Sequence, residues 1–262
     1  MTLGATVEGI GLVGPGLAGW SASRERLAGR EAFAAVPTVI PLPEALPATE
    51  RRRAGKTVRL ALAAGLEAAH MAGREARSLA TIFASSGGES ENCHAICEAL
   101  AGADRLISPT RFHNSVHNAA AGYWGIATGA MAPADAIGAF DASFAAGLLE
   151  ALVRLAANPA QAALLIAYDT PYPEPLHGAR PIADSFATAF VLSSDAARGP
   201  RIEARIEERP AARMDDASLE RVRAGIPAAR SLPLLRALAR NAASSVSLEY
   251  VDGQAVRVEL RP

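Results

Sequence analysis

The run QAALLIAY at residues 161–168 is apolar almost throughout, with Asn158-Pro159 before it and Pro171 after it. A run of this length between turn residues is a strand, and one without polar alternation is buried on both faces. Such a strand needs a layer above and a layer below. This one segment therefore predicts an α/β fold built on a parallel or mixed sheet. The 262 residues suit one large domain or two small ones. Folding at this size buries roughly 70% of the surface of the unfolded chain, so a sizeable core is available.

The rest of the chain alternates strands with helices. Residues 5–13 predict a strand ending in the turn Gly14-Pro15-Gly16, and a Pro-rich surface connection covers 37–47. One long helix is expected over 49–70, capped by Thr49, carrying Val58, Leu62, Leu66 and Ala69 at helical spacing, and stopped by Gly73. A buried strand over 78–85 leads through Ser86-Gly87-Gly88 into a helix over 90–100, with Cys93, Ile96, Cys97 and Leu100 on one buried face. Further helices are expected over 118–128 and 142–157, with a short strand over 135–140 between them. A strand at 186–193 is followed by a tail of different composition. The tail predicts a charged strand over 201–208, helical segments at 219–224 and 232–243, and a closing hairpin of 246–250 and 255–260 around Asp252-Gly253.

Charge and cysteine content narrow the function classes. The 26 basic and 27 acidic residues nearly cancel and form no long run of one sign, which argues against nucleic acid as a partner. An apolar fraction of 50% argues against disorder. Cys93 and Cys97 cannot build a disulfide framework. Without a secretory leader pattern or an apolar stretch of about 18 residues, a soluble cytoplasmic protein with no membrane span is expected.

Several constellations could carry chemistry. Gly9-x-Gly11-x-x-Gly14 follows a strand, with Glu31 20 residues beyond Gly11, as in a dinucleotide-binding turn. Pro15-Gly16 stands where the helix of that motif should begin, and a Gly-rich turn that simply ends a strand accounts for the same letters. Cys93, Cys97, His113 and His117 have spacings near those of a structural zinc site, although two small residues on a buried helix face read equally well. No metal and no cofactor is expected. Ser85 and Ser86 do not form G-x-S-x-G, and Ser143 near a helix start reads as a cap. Asp141, between a strand and a helix, suits the positive end of a helix dipole; its functional alternative is a general base.

The stretches IFASSGG (82–88), ISPTRFHNSVHNAAAGYWGIATG (107–129), IGAFDASFAAGLLEAL (137–152) and AALLIAYDTPYPEP (162–175) resemble the N-terminal half of a β-ketoacyl synthase. VEGIGLVGPG (7–16) resembles the opening strand of that family. More narrowly, the chain resembles the short chain length factors of aryl polyene and xanthomonadin-type pathways. The resemblance implies a thiolase-like fold, here a single N-terminal half over 1–200 with a C-terminal strand, helix and hairpin extension over 201–262 packed on the same core.

In ketosynthases of this family the catalytic Cys lies at a strand-to-helix turn, in a pattern like A-C-x-S-G, where the helix N-terminus favours the thiolate. Two His residues come from the second half. Here the turn reads Ala139-Phe140-Asp141-Ala142-Ser143, counting from Ser108-Pro109 puts Asp141 at the nucleophile position, and no His follows His177. A carboxylate cannot replace the thiolate in acyl transfer, so the resemblance implies a subunit that is inactive alone. Such a subunit pairs with a full-length β-ketoacyl synthase, works on chains carried by acyl carrier protein, and shapes the acyl tunnel. Ser86, Asn92, Cys93, Ile96, Arg111 and Phe112 are the expected tunnel or interface residues. Two alternatives stand beside this reading. One is an acyl-thioester hydrolase or decarboxylase using Asp141 with a His such as His113; the other is a stand-alone module binding acyl chains or acyl carrier protein. The doubly apolar strand also requires that the face normally covered by a second half be covered by the tail or by a partner.

Overall fold

A computed structural model describes residues 2–103, 105–160 and 162–262. In chain order come β1 (Leu3–Gly14), β2 (Leu17–Ala18), α1 (Trp20–Ala28), α2 (Ala48–Arg53), α3 (Lys56–Met71), β3 (Ala80–Ala84), α4 (Ser90–Ala101), α5 (Pro109–Asn114) and α6 (Ala119–Thr128). Then follow β4 (Ala134–Ile137), α7 (Ser143–Ala157), β5 (Ala163–Asp169), α8 (Leu176–Ala179), β6 (Phe186–Ser193), β7 (Arg201–Glu208), α9 (Ala217–Gly225), α10 (Leu232–Arg240), β8 (Ser244–Glu249) and β9 (Gln254–Arg261). The strands make one sheet in the order β4-β3-β5-β6-β1-β7-β9-β8, with β2 paired to β1. β3 is parallel to β4 and β5, and the other pairings along the sheet are antiparallel.

β5 is buried at every position, as its apolar run requires. It begins at Ala163; Gln161, expected to open it, lies outside the described residues. Its side chains alternate between two cores. Leu164, Ile166 and Tyr168 pack in a cluster with Val58 and Leu62 of α3 and Trp124 of α6. Ala163, Leu165 and Ala167 pack in the other with Leu148 and Leu152 of α7. That second cluster also holds Ala228, Ala229, Leu232, Leu235 and Leu238 from the tail. The face that needed cover is thus closed by α7 together with the tail.

β1 keeps one face toward the α7 side through Leu3, Ala5 and Val7, then through Ile10 and Leu12. The parity change marks a bulge between Val7 and Gly9. Glu8, at the bulge, is clamped by Arg74 at 2.8 Å and Arg198 at 3.0 Å. Burial alone would raise its pKa, but the hydrogen bonds from Arg74 and Ser193 and the charges of Arg74 and Arg198 together hold the carboxyl below its usual range. Gly9 and Gly11 face α3. A Cβ on Gly11 would stand 1.8 Å from the carbonyl oxygen of Ala64, and one on Gly9 would stand 2.2 Å from that of Ala68.

These contacts settle the glycine pattern. The two glycines let α3 lie against the strand, and the N-terminus of α1 is already occupied. Glu67 of α3 accepts from the Trp20 amide at 2.6 Å and the Leu12 amide at 2.9 Å, where a phosphate would have to sit.

Two expectations are corrected. The helix expected over 49–70 is two helices, interrupted where Ala54 is extended (φ −67°, ψ 116°). Buried Glu89 packs at the break: it accepts from the Thr57 hydroxyl and lies so close to Gly55 that a Cβ there would stand 2.6 Å from its carboxylate. The second correction is α4. It has no buried residue; Cys93 and Cys97 are free and exposed, and Leu100 is exposed as well. Its amphipathic spacing is real, but within this chain it packs chiefly against the short α5.

Candidate functional site

β3, β4 and β5 run parallel, with Ala84 beside both Ile137 and Ala167, and β5 continues two residues further to Asp169. In open α/β sheets, ligands are met at such carboxyl ends. Three segments leave the strands here, at residues 85–88, 138–143 and 169–172.

Asp169 organises the first and third segments. It is fully buried and accepts from the Ser86 amide at 2.8 Å, the Ser86 hydroxyl at 2.7 Å and the Ser85 hydroxyl at 3.1 Å. Desolvation pushes its carboxyl up to about 6, against the opposing pull of these hydrogen bonds. Ser85 Oγ accepts from the Gly88 amide at 2.9 Å, and the Tyr172 hydroxyl lies 3.2 Å from Ser86 Oγ. His117 Nε2 is 3.0 Å from the Ser85 carbonyl oxygen, a contact that needs the proton on that nitrogen.

The middle segment is a tight turn into α7. Phe140 has φ +53°, outside the range an aromatic residue ordinarily adopts. Left-handed backbone costs a side-chain-bearing residue on the order of 1–2 kcal/mol. The turn is pinned by Ser143, whose hydroxyl donates to the Phe140 carbonyl at 2.7 Å and accepts from the Ala139 amide at 3.0 Å. Ser143 is therefore a structural clasp. Asp141 follows Phe140 and is held by two cations, with Arg180 at 2.9 Å and Arg230 at 3.5 Å. Arg180 also lies over the Phe140 ring, 3.3 Å from its centroid. Arg230 continues to Glu249 at 2.9 Å, which ties the turn to the end of β8.

The residues expected at a tunnel or interface fall into two groups. Ser86 belongs to the Asp169 cluster. Asn92, Cys93 and Ile96 lie on α4, and Arg111 and Phe112 on α5, away from any hydrogen-bonded cluster. Phe112 is 65% exposed. With Leu100, Leu106, Ile107, Val116 and Ile126 it makes α4, α5, α6 and the connections between them rich in exposed apolar side chains. β4, beside them, is one edge of the sheet, and β8 is the other.

The four residues with zinc-like spacing are not drawn together. His117 is turned to Ser85, His113 lines a depression with Glu50 and Tyr123, and Cys93 and Cys97 are exposed on α4. Among the described residues, no three His, Cys, Asp or Glu side chains form a metal-holding group.

The family model for the β-ketoacyl synthase N-terminal domain matches residues 20–252. The chain belongs to that family. No curated protein matches it in sequence. Solved structures share its fold at low identity. One is a ketosynthase (ApeO) in complex with its chain length factor (ApeC) from Xenorhabdus doucetiae. That match has 22% identity and a TM-score of 0.75, covering 98% of this chain and 99% of the other. Another is the ishigamide ketosynthase/chain length factor, at 15% identity and a TM-score of 0.71 with the same coverage. A third is the AntDE:AntF complex of a type II polyketide synthase acyl-carrier protein with its ketosynthase, at 11% identity and a TM-score of 0.74, covering 99% of each chain. The fold is thus the thiolase-like ketosynthase fold, and the strand-to-helix turn at 138–143 leads into α7 as the resemblance implied.

Asp169, Tyr172, Arg180, Arg230 and Glu249 escaped the sequence reading. Asp169 alone had a signal there, as a carboxylate closing a fully apolar strand. The two arginines and Glu249 reach the site from separate loops and the tail, and no spacing announces that.

Proposed function

We propose that this chain is a chain length factor, a non-catalytic ketosynthase-like subunit. It pairs with an active β-ketoacyl synthase and bounds the acyl tunnel during aryl polyene, polyketide or fatty-acid-like chain elongation. The observation that carries the reading is the turn into α7. It presents Phe140 and Asp141, neither able to form a thioester, and Asp141 is engaged by Arg180 and Arg230. The exposed apolar side chains around α4–α6, beside the edge strand β4, support pairing with a ketosynthase. The likeness to ketosynthase/chain length factor structures points the same way. Acyl carrier protein, which delivers the growing chain, is the second partner. No described helix is long and apolar enough to cross a membrane, and we place the pair in the cytoplasm.

A hydrolase or decarboxylase built on Asp141 and His113 finds no support in the geometry. Asp141 borders one cleft with Glu249 and Tyr250, while His113 borders another with Glu50 and Tyr123. Incubating the isolated chain with malonyl- and acyl-thioesters separates the readings. The subunit reading expects no turnover above that of Asp141→Ala. Turnover that Asp141→Ala abolishes contradicts it.

A further inference from the structure

A second cavity lies at the other end of β8 from the ion pairs of the turn. It measures about 410 Å³ and is enclosed by α10, the start of β8 and residues 212–215. Ser245 borders it, whereas Glu249, the partner of Arg230, stands four residues further along the strand. That spacing is roughly 13 Å of extended chain.

Three arginines line this cavity, Arg213, Arg236 and Arg240, against one carboxylate, Asp215. Arg236 makes the imbalance matter. Its side chain is 14% exposed, while Asp215 is 84% exposed and 3.4 Å away. Nε and Nη1 of Arg236 are buried and have no acceptor among the described residues. A guanidinium cannot shed its charge to escape burial. A carboxylate standing in water neutralises little of it. The C-terminus of α1 is near, but it offers only a partial negative charge, and its Ala28 carbonyl already accepts from Arg240 at 3.4 Å. The other deeply placed arginines are matched in full. Arg223 meets both Glu220 and Glu249, and Arg230 meets both Asp141 and Glu249.

A buried cation without a full counter-charge sets a positive field in the space beside it. Arg213 and Arg240, both exposed, add their charges around that space. A phosphate monoester fits this lining. It carries about −1.5 to −2 charge at pH 7 and three acceptor oxygens, where a carboxylate brings one charge and two oxygens. Ser244 and Ser245 add hydroxyl donors, and Met214, Ala237 and Val246 give an apolar wall for an organic body.

We propose that this cavity binds a small soluble phosphate monoester, with Arg213 and Arg240 contacting the phosphate and Arg236 supplying the field behind them. The site is separate from the turn into α7, and it stands whether or not the chain pairs with a ketosynthase.

Calorimetric titration of the full chain, in phosphate-free buffer at fixed ionic strength, tests it with phenyl phosphate and with benzoate. Phenyl phosphate should bind at a single site, and benzoate should bind at least about tenfold more weakly. Arg213→Ala and Arg240→Ala should each weaken phenyl phosphate about tenfold and leave the melting temperature of the free chain unchanged. Asp215→Asn should tighten binding, because it removes the competing carboxylate. Arg236→Met should abolish it; if that variant does not fold, the other variants still decide. No saturable heat with phenyl phosphate up to about 10 mM overturns the proposal. So does binding that neither arginine variant weakens and Asp215→Asn does not tighten, or benzoate binding as tightly as phenyl phosphate.

Discussion

Asp169 is held by hydroxyls and an amide and is buried at the end of the sheet, and this makes its ionisation a property of the fold. Burial disfavours the charge and pushes its carboxyl from an ordinary 3.8 up to about 6. As pH rises, the unfolded chain loses this proton first. The folded state therefore binds more protons between the two values, and stability falls as pH climbs from about 4 to about 6. The loss from this group is on the order of 3 kcal/mol. Burial also raises Glu67 and Glu89, which act with the same sign, while Glu8 is lowered and acts oppositely. Urea titrations of parent and Asp169→Asn at pH 4.5 and 7 isolate the group: the drop in stability toward neutral pH should be clearly smaller in the variant, and equal drops would refute the assignment. Gly11 gives a second expectation at this scale. With the Ala64 carbonyl oxygen 1.8 Å from its would-be Cβ, Gly11→Ala must push α3 off β1. A loss of about 1–3 kcal/mol, or more, should appear in urea unfolding.

At the scale of elements, strands were the most legible part of the chain. The strands over 186–193 and 201–208 fall where the sequence puts them, because their patterns reflect packing on a sheet that lies within the same chain. α4 shows the limit of that logic. Its stripe of Cys93, Ile96, Cys97 and Leu100 says that one face is apolar, but spacing cannot say whether the covering surface is in this chain or in another. The break between α2 and α3 was hidden for a related reason: the carboxylate packed at it, Glu89, lies 34 residues beyond Gly55 and meets it only in three dimensions. The same holds at the turn into α7, where counting along the sequence reached Asp141 but the left-handed backbone belongs to Phe140. If α4–α6 carry the partner interface, Phe112→Asp and Val116→Asp should leave the melting temperature of the isolated chain within a degree or two and abolish co-elution with the ketosynthase. Both side chains are exposed, so a large fall in melting temperature would mean instead that this surface is needed for the fold.

For the whole molecule, the tail is a continuation of the sheet. β7 pairs with β1, β9 with β7 and β8 with β9, and α10 contributes Leu232, Leu234, Leu235 and Leu238 to the cluster beneath β5 and β6. The ion pairs from Arg230 to Asp141 and Glu249 join the tail to the turn into α7. The chain should therefore unfold in one cooperative step by both circular dichroism and tryptophan fluorescence, and removal of residues 244–262 should leave no folded remainder; two separated transitions would show an independent tail. The tail closes the sheet from within, and the proposed pairing with a ketosynthase is expected to use the exposed apolar side chains around α4–α6 beside the edge strand β4. The most direct measurement is the mass and activity of the co-expressed pair, by size exclusion with light scattering and by product analysis with acyl carrier protein. The account predicts a stable complex of both chains that elongates acyl chains, with no elongation by this chain alone. Separate elution of the two chains, together with products unchanged by the presence of this one, would contradict it.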